Sequence, residues 1–191
     1  YLFSLPSFIV SKNFISSFMK DPKDVPMIYL MINVILLVIP SACFVFFNNY
    51  TGIKYHLIAI TYVILTMGTF MQRFILCTHY AAHRMVFKKW GFLLNNLKTH
   101  ILAPFFGLPS GMYYMHHIVM HHTAGNVSPL DLSSTMPYQR DNFLHFLHYW
   151  VKFLTATWIY IPYYALINNN KKVAINGVLS LITYGACLKA L

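Results

Sequence analysis

An all-α polytopic membrane protein is the fold class this sequence predicts, on three observations. Only 9% of the residues are charged and 58% are hydrophobic, whereas a soluble domain carries about 25% charged residues. Too few charges remain to cover a water-exposed surface. Apolar runs of about 20 residues recur, enough to cross a hydrocarbon core of about 30 Å as helices. The lysines and arginines stand mostly at the ends of those runs. The expected architecture is about four transmembrane helices in two hairpins plus interfacial helices, a single domain over residues 1–191. The chain opens at Tyr1 without methionine and closes at Leu191 inside an apolar run, so the sequence is read as incomplete at its C-terminus.

The elements follow in order. Residues 1–26 alternate Phe3, Phe8, Phe14 and Phe18 with Lys12, Lys20 and Lys23, the pattern of a short segment lying in the membrane interface. Met27 to about Phe47 is the first span, with Pro40 a kink candidate, and Asn48–Gly52 is a turn. A second span runs from about Tyr55 to Cys77, with Arg73 close enough to its end to snorkel. Residues 84–140 alternate Arg84, Lys88, Lys89 and Lys98 with Phe92, Leu93, Leu94 and Ile101, which predicts interfacial helices rather than a span. Gly107–Gly111 breaks them, and Ser110 is the expected N-cap of the next helix. Thr123–Asn126 and Ser128-Pro129 end that helix. A third span is expected from about Phe143 to Ile167, a polar turn at Asn168–Lys172, and most of a fourth span from Val173 to Leu191.

The formal net charge is +10, yet the basic residues never form a dense run, so they read as topology signals and not as a nucleic-acid surface. Two hairpins put 11 of the 14 basic residues on one face and leave Lys54, Lys171 and Lys172 on the other. The positive-inside rule then places the residues after the second span on the cytosolic, stromal or matrix side. Cys43, Cys77 and Cys187 are odd in number and lie in or beside apolar runs, which argues against a disulfide framework and for small buried residues.

The chemistry-bearing residues are histidines. His79 and His83 form an HxxxH box continuing from the second span, and 34 residues after His83 comes His117, followed by His121 and His122 in an HxxxHH box. Histidines four apart on a helix stand one turn above each other. At about 100° per residue, His121 lies roughly 40° and His122 roughly 140° from His117, all on one side. His116 falls about 100° the other way and reads as a hydrogen-bonding neighbour of the ligands. A single histidine beside an apolar segment is usually structural, but two boxes at ligand spacing favour a metal site. His56 begins the second span and sits about 35 Å from His79, too far to join. Asp131 and Asn126 are candidates to hydrogen-bond a ligating histidine, with turn formation the plainer role for each. His145 and His148, three apart, are candidate additional ligands or interfacial anchors; His100 is weaker.

The sequence contains no glutamate, and its acids are Asp21, Asp24, Asp131 and Asp141. A carboxylate-bridged di-iron bundle built on Glu-x-x-His is therefore excluded, as is HExxH zinc chemistry. Many imidazoles with few carboxylates suit iron, zinc or copper.

Two spans leading into HxxxH (His79, His83), an interfacial stretch, HxxxHH (His117, His121, His122) and a further helical hairpin resemble the integral-membrane fatty acid desaturase and hydroxylase superfamily, over most of the chain from about residue 27. The resemblance implies two iron ions held by His79, His83, His117, His121 and His122, with O2 as co-substrate and an acyl lipid or acyl thioester as substrate. It also implies a separate electron donor of cytochrome b5 or ferredoxin type, and an endoplasmic reticulum, plastid or mitochondrial membrane. Members carry a third box, HxxHH or QxxHH, after the fourth span, and Leu191 precedes any such box here. The implied activity is fatty acid desaturation; lipid hydroxylation, or a non-catalytic desaturase-like subunit packed with other membrane-complex subunits, are the alternatives.

Overall fold

The structure, a computed structural model, describes residues 12–127 and 129–190; the first eleven residues of the expected interfacial segment, Ser128 and Leu191 lie outside the described residues. The chain divides into two compact units, one reaching to Leu108 and the other formed by Pro109–Lys189. Every regular element among the described residues is helical, with one isolated antiparallel bridge between Met19 and Phe87.

In the first unit a short helix α1 (Lys12–Phe18) precedes α2 (Pro22–Phe46) and α3 (Gly52–His83). Asp21 caps the start of α2 by accepting the Lys23 amide at 2.9 Å, and Pro22, which has no N–H to leave unsatisfied, occupies the first turn. Pro40 lies inside α2, where its ring would meet the carbonyl of Leu36. A π-helical stretch at Val34–Val38 directly precedes it, with the Ile39 amide donating to the Val34 carbonyl, so the expected disturbance takes the form of one widened turn. α2 and α3 run antiparallel, their far ends tied by Arg84, whose two terminal nitrogens reach the Asp24 carboxylate at 2.5 and 2.6 Å.

The outward face of α3 carries Ile53, Leu57, Ile60 and Ile64, each more than half exposed. Their spacing makes one helical stripe, and a stripe that apolar is stable against lipid, not water. Lys54 and Arg73 stand 19 residues apart on this helix, about 28 Å at 1.5 Å per residue, which matches the hydrocarbon thickness. His79 and His83 then lie about 9 and 15 Å past Arg73. The first box therefore projects beyond the apolar core on a helix rooted within it.

Behind this box the chain turns into α4 (Phe92–Leu97), a π-helical turn Lys98–Leu102 and a 3-10 turn Ala103–Phe106. The Asn95 side chain fixes the approach, accepting the Val86 and Phe87 amides at 3.0 Å each and donating to the Phe87 carbonyl at 3.1 Å. Phe106 stacks on Phe74 at 4.3 Å, and both are buried with Leu102, Val34 and Val38 in the core of this unit.

The second unit begins with a helix over residues 112–124, α5. Its N-cap is Gly111 in the left-handed conformation (φ 73°), not the expected Ser110; the Ser110 carbonyl instead accepts the Ser180 hydroxyl at 2.6 Å. Gly125 and Asn126, at φ 62° and 61°, close α5 as the sequence pattern anticipated. α6 (Phe143–Ile167) is capped by Asn142, whose oxygen accepts the Leu144 and His145 amides. α7 (Lys171–Ala190) packs beside it where Gly177 lies opposite Pro162. Met112, Met120, Leu132, Ile161 and Tyr164 form the core of this unit.

Among the described residues three helices are long and apolar enough to cross a bilayer, α2, α3 and α7, where about four were expected. α6 has 25 residues, about 37 Å of helix, but Lys152, Trp150, Trp158, Tyr160, Tyr163 and Tyr164 dilute its apolar character. Such rings favour the membrane–water boundary.

Candidate metal centre

His79 and His83 occupy the last turns of α3, where regular helix keeps residues four apart on one face. Their ring centroids are 5.0 Å apart; His79 is half-buried and His83 exposed. The first box therefore has the arrangement that the sequence spacing requires.

The second box does not follow the α-helical wheel. Residues Met115–His121 are π-helical, and the His122 amide donates to the carbonyl of His117, five residues back. Residues five apart are thereby brought onto one face. His117 and His122, expected roughly 140° apart on an α-helix, meet with their Nε2 atoms 3.3 Å apart and ring centroids at 4.7 Å. The His121 ring stacks on that of His117 at 5.6 Å, with an interplanar angle of 19°. The widened turn thus gathers all three histidines of the box.

Asp131 reaches this group from the loop after α5. Its Oδ2 lies 2.5 Å from Nδ1 of His121, and its Oδ1 accepts the amide and the hydroxyl of Ser133 at 2.9 and 2.6 Å. Burial alone would raise the Asp131 carboxyl, but the Ser133 hydrogen bonds and His121 outweigh it and hold the carboxyl below its ordinary value. An ionised carboxylate can only accept, so His121 carries its proton on Nδ1 and turns the Nε2 lone pair outward. Ser133 was not anticipated from the sequence. Its signal was present in the Asp131-Leu132-Ser133 spacing, which suits a side chain bonding the backbone two residues on.

His116, expected beside the ligands, packs edge-on against Phe153 at 5.6 Å and stacks loosely on His121 at 6.3 Å. Its buried Nε2 has no hydrogen-bond partner among the described residues. Burial pushes this imidazole down to about 4, against the pull of the Asp131 charge. His145 spends its Nδ1 accepting the Gln139 amide at 2.9 Å, and His148 lies against Tyr138 at 5.5 Å. These contacts match anchoring at the start of α6. Asn126 is an exposed turn residue, and Tyr113 stacks on His117 at 5.6 Å.

The donor set fits a transition metal. Two imidazole nitrogens 3.3 Å apart can both reach one ion at bond lengths of about 2.1 Å, subtending roughly 105°. The Asp131–His121 contact has the form of the carboxylate–histidine pairing that orients imidazole ligands in metal sites. No curated protein and no solved structure matches the chain. The family model described as fatty acid desaturase matches residues 54–184, from the start of α3 through both histidine boxes into α7, and the chain belongs to the fatty acid desaturase family.

Proposed function

We propose that this protein is an O2-dependent acyl-lipid oxidase, and that its reaction is fatty acid desaturation. The observation that carries the reading is the pair of Nε2 atoms of His117 and His122 brought to 3.3 Å by a π turn, in a chain that belongs to the desaturase family.

His79, His83, His117, His121 and His122 would hold two irons. A di-iron centre would supply reduction of O2 by two external electrons: a –CH2–CH2– unit becomes –CH=CH–, and its two removed hydrogens, O2, two electrons and two protons together give two waters. The chain's own contribution is placement. Neutral imidazoles bind without adding negative charge, which keeps bound metal strongly oxidising. Asp131 holds His121 in the ligating tautomer, and Ser133 fixes Asp131. Buried Met112, Met120 and Leu132 line the core of the same unit and keep water from its interior.

The stretch from His83 to His117 contains none of the helices long enough to cross a bilayer. That connectivity supports both boxes lying on one membrane side, and the basic-residue distribution supports the cytosolic, stromal or matrix side. Substrate is an acyl lipid or acyl thioester in the bilayer, and electrons come from a separate donor of cytochrome b5 or ferredoxin type.

The test uses the full-length protein in native membranes. About two irons per chain and new double bonds in cellular acyl lipids, both lost in His117→Ala and His122→Ala, are the expected results. Hydroxylated products alone would reassign the chain to lipid hydroxylation. Absence of iron together with an unchanged acyl profile would leave a non-catalytic membrane subunit.

A further inference from the structure

The two arginines beside the α2–α3 hairpin have opposite fates. Arg84 is matched by Asp24. Arg73, inside the membrane-spanning α3, has no hydrogen bond or ion pair among the described residues, and it lines a cavity of about 410 Å³.

Two helical stripes build that cavity. α3 contributes Arg73, Leu76, Cys77 and Tyr80, and α2 contributes Met27, Leu30 and Asn33; both sets follow the three-and-four spacing of one helix face. Leu76 and Tyr80 are 52% and 54% exposed, so the cavity opens sideways. Towards the other end of the hairpin it adjoins a second cavity of about 590 Å³ across the shared ring of Phe70. That second cavity has no charged residue in its lining, which runs along α3 to Ile58. From Arg73 to Ile58 is 15 residues, about 22 Å of helix, longer than one leaflet's hydrocarbon half of about 15 Å.

A guanidinium beside an apolar trough calls for an amphipathic anion. Among the described residues no carboxylate pairs with Arg73, and Asp24, at the same end of the hairpin, is committed to Arg84. Arg73 stands about 28 Å from Lys54 along α3, at the depth where lipid phosphates begin. We propose that this groove binds one anionic phospholipid of the surrounding bilayer, its phosphate paired bidentately with Arg73 and an acyl chain lying past Phe70 in the second cavity. The Tyr80 hydroxyl, one turn further out than Leu76, faces the rest of the headgroup. The site needs neither metal nor turnover, so it stands or falls separately from the proposed reaction.

The experiment takes the full-length protein into nanodiscs of phosphatidylcholine containing a minor fraction of phosphatidylglycerol and reads bound lipid by native mass spectrometry after mild delipidation. Wild type should retain one phosphatidylglycerol, and Arg73→Gln should retain roughly tenfold less, while Arg73→Lys recovers part of the loss. Leu76→Trp fills the trough with the charge intact and should also expel the lipid, which separates groove occupancy from attraction to the membrane surface. Three results would overturn the proposal: equal retention of phosphatidylcholine, retention unchanged in Arg73→Gln, or equal thermal stabilisation by water-soluble glycerol phosphate. Recovery of a free fatty acid in place of phospholipid would overturn it as well.

Discussion

Replacing Asp131 with asparagine tests the link between the loop and the second box. The carboxylate is fully buried, receives two hydrogen bonds from Ser133 at 2.9 and 2.6 Å, and lies 2.5 Å from Nδ1 of His121. Asparagine preserves shape and keeps an oxygen for Ser133, but it turns an N–H donor towards His121. If the Nδ1 proton stays, two donors face each other in a buried site, at a cost of about 1–3 kcal/mol. If the proton moves to Nε2, the lone pair that would bind metal is lost. The first outcome lowers the unfolding midpoint by about 4–8 °C for a cost near 2 kcal/mol in a chain of this size. Both weaken metal binding, by about 10- to 100-fold on the usual scale for an outer carboxylate. The assay is a cobalt(II) titration of the full-length protein, followed by its absorption bands, with thermal unfolding of the same samples. A double-mutant cycle with His121→Ala should show coupling of about 1–2 kcal/mol, because each change removes the same contact. Unchanged affinity in Asp131→Asn, or additive effects in the cycle, would refute the assignment of Asp131 as the residue that positions His121.

Other outcomes follow from the same contacts. Buried His116 titrates near 4 and an unfolded histidine near 6.5, so the unfolded state takes up its proton first. Stability should fall as pH drops from about 6.5 to 4, by up to about 3 kcal/mol, then level off; His116→Phe should flatten that part of an unfolding-versus-pH curve. The Asp131 carboxyl is shifted the opposite way relative to its charge, so its contribution is complete above about 4 and is lost only as pH falls through its depressed folded value. Arg84→Ala strands the buried Asp24 carboxylate and should lower the unfolding midpoint, and adding Asp24→Asn should restore part of the loss in the same melt. Gly177→Leu should cost about 1–3 kcal/mol by overpacking, since even a Cβ there would come within 3.1 Å of Pro162 and 3.5 Å of Met115; denaturant unfolding reads it directly.

The hairpin and both boxes were legible in the sequence because their signals are local. An apolar run of spanning length, a terminal Arg73 and histidines four apart each depend only on neighbours along the chain. What was not legible depends on backbone that deviates from the α-helix. Sequence spacing placed His122 on the same side as His117 but about 140° round the helix, since α-helical angles were the only available rule; the π turn over Met115–His121 brings it against His117. Ser110 looked like a cap by residue type, yet the left-handed turn at Gly111 took that position and left the Ser110 carbonyl to Ser180.

The charge inventory explains why the donors are imidazoles. Asp21 caps α2, Asp24 holds Arg84, Asp131 is shared by Ser133 and His121, and Asp141 is exposed ahead of α6. Every buried carboxylate is thereby committed to a protein partner. Imidazoles can gather without that constraint, because neutral rings at 5–6 Å repel one another little and can share protons until an ion arrives. The weight of assembly falls on the backbone instead: a regular helix end for His79 and His83, and a widened turn for His117, His121 and His122. Removing the widened turn by deleting Met115, upstream of the box, would keep every histidine and the five-residue spacing of His117 and His122, which regular α-helix separates by about 140°. Metal affinity should then fall as far as it does on removing His122 itself, and retention of wild-type affinity by the deletion variant would show that the widened turn has no part in gathering the ligands.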